Sequence, residues 1–553
     1  MAAPVLDVDW WRTGVVYQIY PRSFADADGN GIGDLAGILE HLDHLAGQPD
    51  SLGVDAVWLS PFYPSPDYDF GYDVADYVGV DPKYGTLADF ERLVEGCHRR
   101  GMKVVIDLVL NHSSSQHAWF QASRASRSGA HADWYIWRDS PGRSILGGRR
   151  PPNNWRSFFG GSAWTWDETR QQFYLHTFLP EQPDLNWRNP AVREALLGVV
   201  RTWLDRGVDG FRMDVFNVFF KDADLRSNPR RLGRRGAWSW QTHVHDRNQP
   251  ELEGLLREMR GIVDERPDRM TVGELFDGTL ADAARLISPR HLVFDFSLIR
   301  LPWSAAAFAK GVAARDGVFG ADHWPANVLS NHDQPRHASR LSPPEYDAGA
   351  IAEGDARAKV AATLLLTLRG TPFLYYGEEI ALRNLSIPNA EAADPPARRA
   401  SFLFPWWNRD QARGPMPWTG APGAGFSSGR PWLPLPPDAS RRNVAAQAAD
   451  PSSVLNTYRG LLGLRRATPA LLDGDQALVD QTDADVLSYI RRANAGAAFV
   501  ALNFASRSAT VNLPAPGAGQ SWRVTWSTAG SSRSESASDS IVLGPLEALV
   551  ATA

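Results

Sequence analysis

The sequence has almost no cysteine, no long apolar run and no excess of basic residues. Cys97 is its only cysteine, which excludes an intrachain disulfide and a zinc site built from cysteine thiolates. No apolar stretch approaches the roughly 20 residues that cross a bilayer, and the N-terminal residues lack the basic and apolar regions of a signal peptide. The net charge of −6 provides no attraction for nucleic acid or an anionic membrane. We therefore expect a cytoplasmic protein that binds neither.

The chain has 553 residues, which is enough for two or three domains with a large core. Short apolar runs rich in β-branched residues alternate with amphipathic helical patterns along most of its length. Eight of these runs are predicted to be strands: 14–24, 54–62, 102–112, 208–215, 269–275, 291–296, 326–333 and 370–379. A series of eight strands with helices between them predicts a (β/α)8 TIM barrel.

Two parts of the chain depart from this alternation. Residues 113–181 are rich in Trp, Asn, Gly and Arg, have few regular runs and are too long for a loop, so they predict a small domain inserted after the third strand. From residue 471 the pattern changes to period-two alternation with Gly, Ser and Ala in the turns, which predicts an antiparallel β-sandwich. We therefore expect a barrel domain of residues 1–112 and 182–470, an inserted domain of 113–181 and a C-terminal domain of 471–553.

Carboxylates follow three of the predicted strands, at the end of the barrel where TIM-barrel active sites lie. Asp214 follows the fourth strand, Glu274 the fifth and Asp333 the seventh. Holding three carboxylates together costs folding energy through like-charge repulsion, so a purely structural reason for the set is hard to find. We therefore interpret them as catalytic.

Arg212 lies two positions before Asp214, so both side chains point the same way from a strand. We expect the guanidinium to lower the pKa of Asp214 and keep it ionised, and the other carboxylates to raise the pKa of Glu274 and keep it protonated. One ionised carboxylate and one protonated acid are the parts of a retaining glycosidase. Taken alone, Arg212 and Asp214 would be a structural ion pair, and the neighbouring carboxylates favour the catalytic interpretation.

The segment DADGNGIGD, residues 26–34, has the ligand spacing of the first half of an EF-hand calcium loop. Its candidate ligands are Asp26, Asp28, Asn30, the backbone carbonyl of Ile32, and Asp34. The twelfth position is Gly37 instead of the bidentate glutamate, and a predicted strand precedes the segment where an EF-hand has a helix. We expect a structural Ca²⁺ or Mg²⁺ in a βα connection, the alternative being an Asp/Gly-rich turn without metal.

The chain resembles glycoside hydrolase family 13, the α-amylase family, over essentially its whole length. The motifs that carry the resemblance stand in family order: DLVLNH (107–112), QPDLN (182–186), GFRMD (210–214), GEL (273–275) and SNHD (330–333). More narrowly, the chain is similar to the bacterial α-glucosidase and oligo-1,6-glucosidase group. That likeness lies in WWRTGVVYQIYPRSF, DADGNGIGD, NNWRSFFGGSAW, QPDLNW and PMPW.

The resemblance implies a role for each matching residue. Asp214 would be the nucleophile, Glu274 the general acid/base, and Asp333 the group that holds the 2- and 3-hydroxyls of the sugar. Asp69 and Arg413 would grip the 4-hydroxyl end and close the pocket. The sugar would stack on Tyr72, its hydroxyls would bond to His112 and His332, and the pocket wall would include Phe159, Phe178 and Gln182. The DADGNGIGD segment would be the calcium or magnesium loop of the group, with Asn30 where Asp is usual.

These roles imply a retaining, exo-acting α-glucosidase that releases glucose from the non-reducing end of short α-glucosides, linked α-1,4, α-1,6 or both. A transferase or isomerase, such as a sucrose isomerase or a trehalose-forming enzyme, would carry the same three carboxylates and stays open. A non-catalytic binding relative, like the heavy subunits of amino-acid transporters, typically lacks the acids and has a membrane anchor. The partner is expected to be a small oligosaccharide or disaccharide.

Val215 follows the expected nucleophile Asp214, and it is relevant to which glycosidic linkage the enzyme cleaves. We expect it at the next position of the strand, with its side chain facing away from that of Asp214. In the resembled group, Val at this place tends to accompany α-1,6 activity. The sequence therefore predicts that isomaltose is cleaved, the alternative being that Val215 serves only strand packing.

Overall fold

The computed structural model describes residues 9–144, 147–233, 237–288, 290–343, 347–398, 407–517, 521–530 and 539–553. The strands, numbered along the chain, are β1 (Val16–Ile19), β2 (Ala56–Leu59), β3 (Lys103–Leu108), β4 (Trp137–Arg138), β5 (Trp164–Asp167), β6 (Gln172–Leu175), β7 (Gly210–Met213), β8 (Met270–Glu274), β9 (Leu292–Phe294), β10 (Ala326–Val328), β11 (Thr371–Tyr375), β12 (Asp475–Leu478), β13 (Val486–Ala493), β14 (Gly496–Asn503), β15 (Ala509–Asn512), β16 (Arg523–Ser527), β17 (Ser540–Leu543) and β18 (Ala548–Thr552).

The α-helices of the described residues are α1 (Trp10–Thr13), α2 (Pro21–Phe24), α3 (Leu35–Glu40), α4 (Leu42–Leu45), α5 (Leu87–Arg99), α6 (Ala118–Ala125), α7 (Pro190–Asp205), α8 (Glu251–Asp264), α9 (Leu280–Ile287), α10 (Ala305–Phe319), α11 (His337–Arg340), α12 (Ala348–Thr367), α13 (Pro395–Arg398), α14 (Val444–Ala449), α15 (Val454–Ala467) and α16 (Pro469–Leu472). Among the described helices, none is long and apolar enough to cross a membrane. The cytoplasmic location expected from the sequence stays a prediction.

Eight strands close into the predicted parallel barrel, in the order β1-β2-β3-β7-β8-β9-β10-β11. Each lies within one of the eight apolar runs. Successive residues along each strand face opposite sides of the sheet. Val16, Trp58 and Val105 therefore fill the barrel interior, while Tyr17 and Val57 belong to the larger core that also includes the buried faces of the helices. Both faces are apolar because helices cover the outside of the sheet.

The segment between β3 and β7 forms a separate three-stranded antiparallel sheet, β4-β6-β5. Its small core includes Trp155, Trp164 and Phe173. Isolated bridges, His112 to Asp184 and Tyr135 to Leu185, join it to the end of the barrel strand and to the returning chain. The segment thus stands at the carboxyl ends of the strands, above one side of the barrel.

The C-terminal part contains a five-stranded antiparallel sheet, β12-β13-β14-β18-β16, and a two-stranded sheet, β15-β17. Phe499 and Leu549 from the first sheet pack with Val511 and Leu543 from the second. This packing of apolar faces confirms the predicted β-sandwich. The residue boundaries of the three domains stay predictions.

Candidate active site

A cavity of about 1420 Å³ opens at the carboxyl ends of the barrel strands. Its lining includes eight of the residues predicted from the sequence: Asp69, Tyr72, His112, Phe159, Phe178, Asp214, Glu274 and Asp333. Four further predicted residues lie behind this wall and contact it: Gln182, Arg212, His332 and Arg413. The barrel and the inserted segment both contribute to the cavity.

Arg212 is the centre of the charged cluster at the cavity floor. It is almost fully buried and donates to Asp107 Oδ1 at 2.6 Å and to Asp214 Oδ1 at 2.7 Å. It also pairs with Glu274. Parallel pairing of β3 with β7 and of β7 with β8 brings these residues side by side. One guanidinium therefore serves three carboxylates.

The structure corrects the expected direction of the pKa shift of Asp214. Burial raises the pKa of Asp214 well above its usual range, and the negative charges of Glu274 and Asp107 add to the rise that Arg212 opposes. Burial also raises the pKa of Glu274, as predicted, and that of Asp107 to about 6. Arg212 is shared with Asp107 and Glu274, so its positive charge does not offset the effect of burial on Asp214.

Asp333 is the carboxylate that this site holds ionised. Its Oδ1 accepts from Arg413 at 2.9 Å and from Arg409 at 3.3 Å, and its Oδ2 lies 3.1 Å from His332 Nε2. Burial alone would raise the pKa of Asp333, but His332 and the two guanidinium groups hold it well below its usual range. The negative charge of Asp333 therefore lies beside Asp214 and Glu274 and contributes to the rise of both pKa values.

Asp69 pairs with an arginine that the sequence did not single out. Asp69 Oδ1 pairs with Arg409 Nη2 at 2.6 Å, and Arg409 also pairs with the fully buried Asp394 at 2.7 Å. Arg413 instead donates to the carbonyl of His332 at 2.9 Å and to Asp333. Both arginines occur in NRDQAR, four positions apart, and the short 3-10 helix of residues 409–412 directs Arg409 to the cavity. The motif contains both candidates and does not rank them, so Arg409 was missed.

Two histidines near the cavity are neutral. Burial lowers the pKa of His112 and that of His332 to about 4. His332 Nδ1 lies 2.8 Å from the side-chain amide nitrogen of Gln18, which can only donate, so the proton of His332 sits on Nε2. That nitrogen is 2.6 Å from the hydroxyl of Tyr72. Tyr72 stacks parallel to His332 with ring centroids 5.4 Å apart, which fixes its ring at the cavity wall.

The opposite wall is aromatic. Phe178 packs against Phe159 at 5.8 Å and against Phe276 at 5.2 Å between ring centroids. Phe276 and Trp238 also line the cavity. The sequence did not single them out, because aromatic residues after a strand are as common in cores as in pockets.

Val215 does not occupy the strand position that was expected. β7 ends at Met213, and Val215 has φ 34° and ψ 37°, in the left-handed region. Such a conformation is strained for a β-branched residue, by roughly 1–3 kcal/mol. The turn places its side chain in the apolar cluster with Phe178 and on the cavity surface, instead of away from it.

The DADGNGIGD segment forms a compact oxygen-rich loop between α2 and α3, because the strand predicted up to residue 24 ends at Ile19 and the short helix α2 follows it. Carboxylate oxygens of Asp26, Asp28 and Asp34 lie within 4.8 Å of one another. Asp26 Oδ2 is held by the N–H of Gly31 at 2.7 Å, and Asp34 caps α3 through Gly37 N at 2.6 Å. Converging carboxylates of this kind fit Ca²⁺ or Mg²⁺, which bind oxygen ligands.

Comparison with known proteins agrees with this geometry. Residues 18–474 match the family model described as "Alpha amylase, catalytic domain". The probable α-glucosidase of Rhizobium meliloti (strain 1021) is 44% identical over 528 residues, 92% of this chain and 92% of the relative. The oligo-1,6-glucosidase of Parageobacillus thermoglucosidasius is 38% identical over 538 residues, 91% and 92% of the two chains. The crystal structure of the α-glucosyl transfer enzyme XgtA is similar with a TM-score of 0.88 and 41% identity, over 98% of this chain and 99% of that chain. With a family model that matches most of its length and relatives that cover nearly all of it, this protein belongs to the α-amylase family of glycoside hydrolases.

Proposed function

We propose that this protein is a retaining, exo-acting α-glucosidase that releases glucose from the non-reducing end of short α-glucosides. The observation that carries the proposal is the convergence of Asp214, Glu274 and Asp333 in one cavity. Relatives named α-glucosidase and oligo-1,6-glucosidase, which match along nearly the whole chain, support it.

In the first step of the proposed mechanism, the Asp214 carboxylate attacks the anomeric carbon. The bond from that carbon to the leaving oxygen breaks, and Glu274 donates its proton to this oxygen. The pKa values of Asp214 and Glu274 are both raised, and this step uses the form in which Glu274 holds the proton and Asp214 is the carboxylate paired with Arg212. In the second step, Glu274 takes a proton from water, and the water oxygen displaces Asp214 from the anomeric carbon. Arg212 touches both carboxyl groups and orients them for the two steps.

We infer exo action from the pair of Asp69 and Arg409 on the cavity surface. A carboxylate and a guanidinium held 2.6 Å apart offer an acceptor and donors to a terminal sugar hydroxyl. A sugar inside a longer chain carries a substituent on that hydroxyl and loses these bonds. Recognition of this kind favours the non-reducing end of short substrates.

A glucosyl transferase or isomerase is the second candidate, because the structurally similar XgtA is named an α-glucosyl transfer enzyme. Incubation with maltose, isomaltose, sucrose, trehalose and starch, followed by chromatography of the products, separates the two. Glucose released from maltose or isomaltose with no activity on starch is expected. New disaccharides as the main product, or no turnover of any sugar, would contradict the proposal.

The proposed double displacement predicts the configuration of the first product. Two inversions at the anomeric carbon return it to the α configuration. Proton NMR during the first minutes of hydrolysis should therefore detect α-glucose before mutarotation. Initial β-glucose would mean that water attacks directly and that Asp214 forms no covalent intermediate.

Val215→Ala is expected to move selectivity toward maltose. The Val215 side chain lies on the cavity surface beside Phe178, and a change of one or two methyl groups in a pocket is worth roughly 1–3 kcal/mol. The ratio of kcat/KM for maltose to that for isomaltose should rise about tenfold to a hundredfold. Val218→Ala, in the same apolar cluster, is the matched control and should leave the ratio unchanged. A parent enzyme that does not cleave isomaltose would show the linkage prediction to be wrong.

We propose that Asp26, Asp28, Asn30, the Ile32 carbonyl and Asp34 bind a structural Ca²⁺ or Mg²⁺. Chelation with EDTA should then lower the melting temperature, because an ion bound only by the folded state stabilises it by about 2.7 kcal/mol at 100 times its Kd. Added Ca²⁺ or Mg²⁺ should restore it, and Asp28→Ala should abolish the response. Equal melting temperatures with EDTA and with metal would favour the metal-free turn.

A further inference from the structure

Two of the residues at the proposed sugar pocket, Asp69 and Tyr72, come from one irregular loop between β2 and α5. Asp67, Phe70 and Gly71 in this loop have positive φ values of 64°, 47° and 101°. Non-glycine residues in the left-handed region cost of order 1–3 kcal/mol each and persist only where the surroundings over-determine them. The loop therefore needs contacts beyond its own backbone preferences to hold Asp69 in place.

Asp73, in the same loop, supplies such contacts from a fully buried carboxylate. Its Oδ1 accepts from the N–H of Asp69 at 2.9 Å and from the hydroxyl of Ser65 at 2.8 Å. Its Oδ2 accepts from the N–H of Tyr68 at 3.0 Å. One side chain thus joins three positions of the loop, and hydrogen bonds to a charged acceptor are the stronger kind.

The contacts continue from Asp69 to the cavity. The Asp69 carboxylate accepts hydrogen bonds from Arg409 at 2.6 Å and from the side-chain amide of Gln182 at 3.1 Å. The Asp69 carbonyl accepts from Tyr72 N at 3.1 Å. Fixing the N–H of Asp69 limits where its carboxylate can lie. We propose that Asp73 is a positioning residue that holds Asp69, and through it Tyr72, in the geometry that binds the terminal sugar. This inference rests on the proposed function, in which Asp69 contacts that sugar.

The charge of Asp73 is sensitive to pH. Burial raises the pKa of Asp73 to about 7, its three hydrogen bonds oppose that rise, and Asp69 is the charged group that faces it. Both oxygens accept hydrogen bonds fully only while the carboxylate is ionised. Lowering the pH from 8 to 6 should therefore weaken glucose binding in the parent, and should do so much less in a variant without this carboxylate.

Asp73→Asn tests the inference, because asparagine keeps the shape of the side chain but replaces one acceptor oxygen with an NH2 group, which can only donate. The inhibition constant for glucose and the KM for maltose should rise about tenfold to a hundredfold, the range of one lost hydrogen bond to a charged group. Asp81→Asn is the matched control. Asp81 is also buried and accepts from Ser65 N at 3.1 Å, and its variant should stay within about twofold.

Inhibition by glucose measures binding and does not change when a variant is merely less stable. If Asp73→Asn does not fold, Ser65→Ala removes one of the three donors and should raise the inhibition constant about twofold to fivefold. The inference would be overturned if the inhibition constant for glucose were unchanged in whichever of Asp73→Asn and Ser65→Ala folds, or if it rose equally in Asp81→Asn.

Asp69→Ala separates the role of Asp73 from the proposed function. Unchanged glucose binding in Asp69→Ala would contradict the sugar-binding role itself, whereas weakened binding there with normal binding in Asp73→Asn would contradict only the role of Asp73.

Discussion

Glu274→Gln is expected to lower kcat/KM for maltose by about two to four orders of magnitude, the usual contribution of a positioned general acid. Glutamine cannot protonate the leaving oxygen. The second sugar must then leave as an unprotonated alkoxide, which is strongly basic and a poor leaving group. Glu274 pairs with Arg212 and lines the cavity, where the proposed substrate would bind. The decrease should be measured with purified variants by glucose release.

Two further measurements assign this loss to proton donation. α-Glucosyl fluoride, whose leaving group needs little protonation, should still form the covalent intermediate in Glu274→Gln. The fall in activity of the parent at high pH, which reports ionisation of the acid, should disappear in the variant. Glu265→Gln, the same chemical change at the exposed end of α8, is the control. Hydrolysis of maltose by Glu274→Gln at near the parent rate would show that Glu274 is not the acid.

Lys221→Met is expected to lower the free energy of unfolding by about 3–5 kcal/mol, the cost of breaking a buried ion pair from one side. Lys221 is almost fully buried, and its Nζ contacts Asp184 Oδ2 at 2.8 Å and Asn111 Oδ1 at 2.8 Å. It also donates to the carbonyl of Val218. The ammonium therefore joins the end of the third barrel strand, the exit of the inserted segment and the chain after β7. Its removal leaves the Asp184 charge buried without its counter-ion.

Urea denaturation followed by fluorescence measures this loss. Lys221→Met combined with Asp184→Asn should recover part of it, because the buried negative charge is then gone. Arg257→Met, which breaks a contact of 3.3 Å with Glu253 on the exposed face of α8, should change stability by less than about 1 kcal/mol. A loss in Lys221→Met as small as that in Arg257→Met would mean that Lys221 contributes no more than a surface cation.

The eight barrel strands and the three carboxylates could be predicted because both depend on residues close together in the sequence. A buried parallel strand is a short apolar run, and its carboxyl end marks the active-site side of a barrel. Asp214, Glu274 and Asp333 could therefore be placed in one cavity without knowing any contact between them. The proposed ligands of the metal loop are likewise a matter of spacing within nine residues.

Tertiary structure alone decided which charges pair. Arg409 and Arg413 lie in the same motif, and the turn at residues 409–412 determines that Arg409 meets Asp69, some 340 positions earlier in the chain. The same holds for Arg212, whose single guanidinium is divided among carboxylates of three strands. Burial, together with the charges of Glu274 and Asp107, raises the pKa of Asp214 although Arg212 lowers it, where the sequence had predicted a lowered pKa.

The backbone conformation outside the strands also could not be predicted from the sequence. Val215 follows a strand pattern without a break, yet the chain turns into the left-handed region there and brings its side chain onto the cavity surface. Asp73 looks like one more acid in an irregular loop until its carboxylate is seen to bond Ser65, Tyr68 and Asp69. The sequence by itself determined the period of the strands, the order of the elements and the residues at the strand ends, because these follow from local patterns. The partner of each buried charge and the direction of each loop residue depend on contacts between distant segments, and these exist only in the folded protein.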